Sequence, residues 1–231
     1  MNIGATSTVA DSRAEVRTAF LRKTYGHLAG ALVVFVCLEA LLLRMPGIDG
    51  LVRAMTGPAW LLVLLMFMGV SYVADRWARS STSLGMQYLG LGLYVVAESI
   101  LFLPLLYIAA RYAGPGLFVN AGLLTLITFG GMTAIVFLTK KDFSGLRVAL
   151  SVGGMVAFGL IVCSILFGLT LGTWFSVAMI VFASGAILYH TGAVMQHYRE
   201  DQYVAASLSL FAAVALLLWY VIQLLMDFSR R

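Results

Sequence analysis

Residues 203–226 read YVAASLSLFAAVALLLWYVIQLLM, 24 residues without a charged side chain. Coiled as an α-helix, such a stretch reaches about 36 Å, enough to cross the roughly 30 Å hydrocarbon layer of a bilayer. A helix also satisfies every backbone N–H and C=O within itself, as lipid demands. Six further apolar runs precede it, at residues 26–43, 58–74, 86–110, 117–138, 147–169 and 174–195. Between them stand chain breakers and charges: Pro46-Gly47, Gly57-Pro58, Gly114-Pro115-Gly116 and the Lys140-Lys141-Asp142 turn. The reading is an all-α fold, a polytopic membrane bundle of seven transmembrane helices.

Composition supports this choice of solvent. Of 231 residues 61% are hydrophobic and 11% charged, a balance that suits lipid better than water. The net charge of +5 does not point to nucleic acid, because Lys and Arg sit at the ends of apolar runs rather than on one basic face. They act as topology signals. Threaded with the N-terminus inside, the chain puts ten Lys and Arg on the inner side and five on the other. A cytoplasmic N-terminus is therefore expected. Trp60, Trp77, Trp174 and Trp219 fall near expected span ends, as indoles favour the headgroup layer.

Residues 1–25 are expected to form a cytoplasmic tail with a short interfacial helix, and residues 26–231 the transmembrane domain. Ser12 followed by Glu15 has capping-box spacing, and Val16 and Phe20 lie one helical turn apart. The following run is too long for a signal peptide and reads as an uncleaved first span. Cys37 and Cys163 each sit alone in an apolar run, so neither a disulfide nor a metal site is expected.

Charges inside the spans carry the functional signal, since an unpaired ionisable group costs several kcal/mol in lipid. Glu98, in the middle of GLYVVAESILFLPLL, is the most anomalous. One reading is a carboxylate facing an internal cavity and meeting cations; the other is a buried structural acid. His190, in AILYHTGAVMQHY, reads either as a proton sensor or as a neutral group bonding a neighbouring helix. His197 lies about 10 Å further along the helix, too far to share one metal ion with it. Secondary polar candidates are Glu39 near the end of the first span, Asp142 in the turn after the fourth, and Gln223 in the last. No P-loop, HExxH, nucleophile elbow or paired-cysteine site occurs, so no enzyme and no cofactor are expected. Small residues inside spans, such as Gly26, Gly30, Gly130, Gly131, Gly153, Gly154, Gly159 and Gly185, read chiefly as packing positions.

Several segments together resemble the Bax inhibitor-1 family: FLRKTYGHLAGAL at the first span, YLGLGLYVVAESILFLPLLY in the third, FLTKKDFSGLRVAL, GLIVCSILFG, and WFSVAMIVFASGAILYHTGAVMQHYREDQYVAASLSLF. The resemblance covers nearly the whole chain. It implies six helices around a central, C-terminal seventh. It also implies calcium leak across membranes, pH-sensitive in some bacterial relatives, and suppression of stress-induced cell death in eukaryotic ones. Other bacterial relatives resemble modulators or substrates of a membrane-anchored protease, so a non-conducting partner protein acting through residues 13–23 is the rival reading. The family's pH sensor is a pair of aspartates in the sixth and seventh helices. Here those positions carry His190, after Tyr189, and Ala213. A histidine gains positive charge in acid, where two carboxylates lose negative charge.

Overall fold

The computed structural model describes residues 14–80, 83–112, 114 and 116–229. The Ser12 cap, Arg13, Pro115 and the Arg230-Arg231 pair lie outside the described residues. Among those described the chain is all-helical: α1 (Ala14–Leu42), α2 (Ile48–Met55), α3 (Ala59–Ala78), α4 (Leu84–Tyr112), α5 (Gly116–Thr139), α6 (Leu146–Phe167), α7 (Gly172–Gln196) and α8 (Tyr203–Ser229). Seven of them, all but α2, are long and apolar enough to cross a membrane. They lie close to the runs read from sequence.

Two departures stand at the first span. The short interfacial helix expected before it is not separate: α1 continues from Ala14 to Leu42 as one helix. Gly26 and Gly30 fall inside that helix and do not break it, because a helix continues through glycine at a cost near 1 kcal/mol each. The loop after it folds into α2. Ile48, Val52 and Met55 share one face of α2 and dock on Leu103, with Trp60, Val63 and Tyr107 around them.

Helix α8 packs against α7, α1, α5 and α4 and, less extensively, α3, while α6 lies mainly against α7. Large side chains lock this arrangement. Phe35 of α1 meets Phe102 of α4 edge to face at 5.0 Å and Phe211 of α8 at 5.9 Å, and Tyr94 meets Phe211 at 6.0 Å. Such pairs contribute about 0.5–1.5 kcal/mol each beyond burial. That matters in lipid, where helices gain no hydrophobic drive by associating. Ser207 adds a polar tie, its hydroxyl donating to the Thr24 carbonyl of α1 at 2.8 Å.

At Gly90 the backbones of α3 and α4 come into close contact. A Cβ built on Gly90 would stand 2.5 Å from the Ala74 carbonyl oxygen and 2.6 Å from the Ala78 nitrogen. Ala74 and Ala78 are wholly buried there. Of the glycines singled out by sequence, Gly153 and Gly154 pack against the Phe182 ring and Gly185 against Leu150, whereas Gly26, Gly30, Gly130, Gly131 and Gly159 have open space where a Cβ would be. Trp60, Trp77 and Trp174 stand in the end turns of α3 and α7, as expected of them, whereas Trp219 lies further inside α8, stacking on Trp60 at 6.0 Å and meeting Phe102 at 5.0 Å. Trp174 remains exposed, at 86%.

The outer faces of α3 and α6 are almost entirely apolar and uncovered; α6 buries only Ala157. Apolar surface on that scale is unsuited to water and suited to acyl chains.

Candidate functional site

A cavity of about 960 Å³ opens between α3, α4, α6, α7 and α8. Antiparallel threading places the start of α6 and the end of α7 at one end of the bundle, and the start of α7 with the end of α8 at the other. Arg147 and His190 line the cavity toward the first end; Gly172, Gln223 and Asp227 line it toward the second. Glu98 sits between these limits on α4. Its walls are otherwise largely aromatic and aliphatic, including Trp60, Phe67, Tyr94, Phe158, Phe182 and Trp219.

Glu98 is only 5% exposed, and its Oε2 atom has no hydrogen-bond partner among the described residues. It is placed by α4, whose face carrying Leu91, Tyr94, Val95, Glu98 and Phe102 turns inward at helical spacing. Pro104 follows in the same helix. Lacking an N–H, it leaves a carbonyl one turn back without its usual helical partner.

Glu39 does not line this cavity, yet it is Glu98's nearest acidic neighbour in effect. It is buried in α1 at 5% exposure, both carboxyl oxygens lack partners, and it interacts electrostatically with Glu98. Although Glu39 lies near the end of the first span and close in sequence to Arg44, its side chain turns into the α1–α4–α8 packing rather than out to the interface.

His190 lies on the cavity wall of α7, its ring against Tyr189 at 5.1 Å. The charged groups acting on it are Arg79 and Asp75 of α3. These two pair with each other, Arg79 Nε donating to Asp75 at 2.8 Å, and the Arg79 guanidinium stands 5.8 Å from the Tyr198 ring. Hydrogen bonding to Asp75 holds the Arg79 guanidinium protonated even more firmly than usual. Ala213 also lines the cavity, so it and His190 face one space.

Gln223, one turn before Asp227, lines the same cavity, and Asp227 accepts a hydrogen bond from the Thr173 hydroxyl at 3.1 Å. Asp142 lies outside it. It closes the turn between α5 and α6, accepting the Ser144 N–H at 2.8 Å and the Ser144 hydroxyl at 2.9 Å. Those two bonds hold its carboxyl below the usual Asp range. The neighbouring Phe143 packs on Gly192 of α7, pinning the turn to the bundle.

The sequence reading thus located Glu98, His190 and Gln223 but missed Arg147, Asp227 and the Asp75–Arg79 pair. The i,i+4 spacing of Asp75 and Arg79 was the available signal, obscured because charges at span ends are ordinarily solvated. Among the described residues no three His, Cys, Asp or Glu side chains gather closely enough to hold a metal ion.

Seven helices long and apolar enough to cross a membrane, five of which line a cavity holding the buried Glu98, define an integral multi-pass membrane protein. The family model described as inhibitor of apoptosis-promoting Bax1 matches residues 17–230, and the chain belongs to the Bax inhibitor-1 family. An uncharacterized protein of Pseudomonas aeruginosa is 29% identical over 219 residues, covering 90% of this chain and 88% of that one. Bax inhibitor 1 of Schizosaccharomyces pombe is 26% identical over 226 residues, covering 95% and 80%. The Golgi anti-apoptotic protein of vaccinia virus strain Lister is 26% identical over 226 residues, covering 95% and 90%.

Proposed function

We propose that this chain is a cation leak pathway, with calcium as the principal cargo, set in a bacterial inner membrane with its N-terminus in the cytoplasm. The observation that carries the reading is Glu98: a buried carboxyl group with an unpartnered oxygen on the wall of a large intramembrane cavity. An unsatisfied acid in that setting is costly unless it meets a proton, water or a cation. Asp227 adds a second carboxyl group at the far end, giving a cation successive acidic stations along the cavity, while Glu39 stands outside the lining and acts on Glu98 electrostatically. At the opposite end Arg147 supplies positive charge, to which His190 adds when it gains a proton, and together they act as the gate.

Protonation of His190 adds charge of the same sign as the cargo, so acid closes this pathway. Orientation follows from the excess of Lys and Arg on the side where α1 begins. Purified protein in liposomes loaded with a calcium-sensitive dye tests the proposal. Flux is expected in the wild type and is lost in Glu98→Gln. Absence of flux between pH about 5 and 8, or flux unchanged in Glu98→Gln, overturns it.

A further inference from the structure

A second recess, about 510 Å³, lies on the opposite flank of α4, between α1 and α4. It has nothing to do with Glu98 or His190. Its mouth carries Arg22 and Lys23, and no acidic residue lines it. Neither cation forms an ion pair among the described residues; Lys23 instead rests 5.2 Å from the Tyr203 ring. Below the mouth the recess is apolar, and at Gly26, Gly30 and Gly92 nothing approaches within 4 Å of where a Cβ would stand.

The edge of the recess is held rigidly. His27 Nδ1 contacts the Lys23 carbonyl at 2.6 Å, which requires its proton there, and leaves Nε2 to accept from the Tyr88 hydroxyl at 3.0 Å. Tyr88 and Tyr203 hydroxyls lie 3.4 Å apart. This ties α1, α4 and α8 together under the two cations.

We propose that this recess is a binding site for an anionic phospholipid, with the phosphate at Arg22 and Lys23 and one acyl chain along the glycine-floored groove. From Arg22 to Val34, the last α1 residue in the recess, the helix rises about 18 Å, close to the depth of one leaflet's hydrocarbon. Two uncompensated cations at the headgroup level select negative lipids over zwitterionic ones. The open floor takes a chain that a bulkier side chain would displace. Free phosphate would use the cations but leave the apolar groove empty.

Native mass spectrometry of the full-length protein, released from micelles holding equal phosphatidylglycerol and phosphatidylcholine, reads this directly. Wild type is expected to retain phosphatidylglycerol in preference, by roughly 30-fold in affinity if each cation contributes as basic groups near an anionic surface do. In the double variant Arg22→Gln/Lys23→Gln that preference falls to parity, whereas Arg44→Gln/Arg53→Gln at the other end keeps it. Gly92→Leu lowers retention of both lipids. The proposal is overturned if Arg22→Gln/Lys23→Gln retains the wild-type preference, or if millimolar glycerol phosphate displaces the lipid from wild type. The charge variants alter exposed side chains, so their result stands even if Gly92→Leu does not fold.

Discussion

Gly90 presses against Ala74 so closely that a single added carbon would come within 2.5 Å of the Ala74 carbonyl oxygen. The obstacle is backbone, which cannot rotate away as a side-chain tip would. Gly90→Ala is therefore expected to lower stability by about 1–3 kcal/mol, and a larger residue by more. Thermal unfolding in detergent checks this, with Gly130→Ala, where nothing lies within 4 Å, unchanged or slightly stabilised.

Two different forces hold α2 to the bundle, and their sizes differ. Arg111 pairs with Asp49 at 2.8 Å, but both side chains are about half exposed, at 57% and 47%. Such a pair contributes about 0–1 kcal/mol. Met55 is 7% exposed and packs in the cluster with Val52 and Leu103. Met55→Ala is expected to cost about 2–5 kcal/mol locally and Asp49→Asn little. Hydrogen exchange across residues 48–55 should speed markedly in the first variant and barely in the second.

The turn at Asp142 responds to acid in a defined direction. Its carboxyl sits below the ordinary Asp value because Ser144 donates two hydrogen bonds to the charged form. A lowered folded value means the contribution is present above the unfolded value of 3.8 and lost as pH falls through the folded one. Ser144→Ala removes the hydroxyl bond, so the Asp142 carbon-13 carboxyl titration should move up toward 3.8. A titration that stays in place would assign the shift wholly to the backbone N–H.

Flux under the proposed leak reading should fall with acidification. In the cavity His190 shares one space with Ala213, so a proton gained there adds positive charge with no carboxylate at position 213 to offset it. His190→Gln should flatten the dependence on pH. Ala213→Asp gives the protonated imidazole a counter-charge and should restore flux in acid. Dye-loaded liposomes read both variants; a wild type whose flux rises in acid contradicts the gate.

Much of the fold was legible because run length alone identifies a spanning helix. Residues 203–226, for example, were expected as a span, and α8 extends only a few residues beyond them. α2 escaped because it is eight residues long, and run length says nothing about so short an element. Its helical spacing of Ile48, Val52 and Met55 was visible but lay in a loop between spans. Glu98 and His190 stood out individually as charges in apolar runs. That they share a cavity depends on how α4 and α7 are turned about their axes, which no local pattern in either helix contains. Gly90 shows the same limit. Sixteen glycines lie in the seven long helices, and only the pairing of α3 with α4 distinguishes the one under backbone pressure.

α1 extends about 43 Å, well beyond the roughly 30 Å of hydrocarbon it has to cross. Its surplus turns put Arg17 and Arg22 on the same unbroken helix as the buried Glu39, so the basic end and the carboxyl group acting on Glu98 belong to one hydrogen-bonded rod.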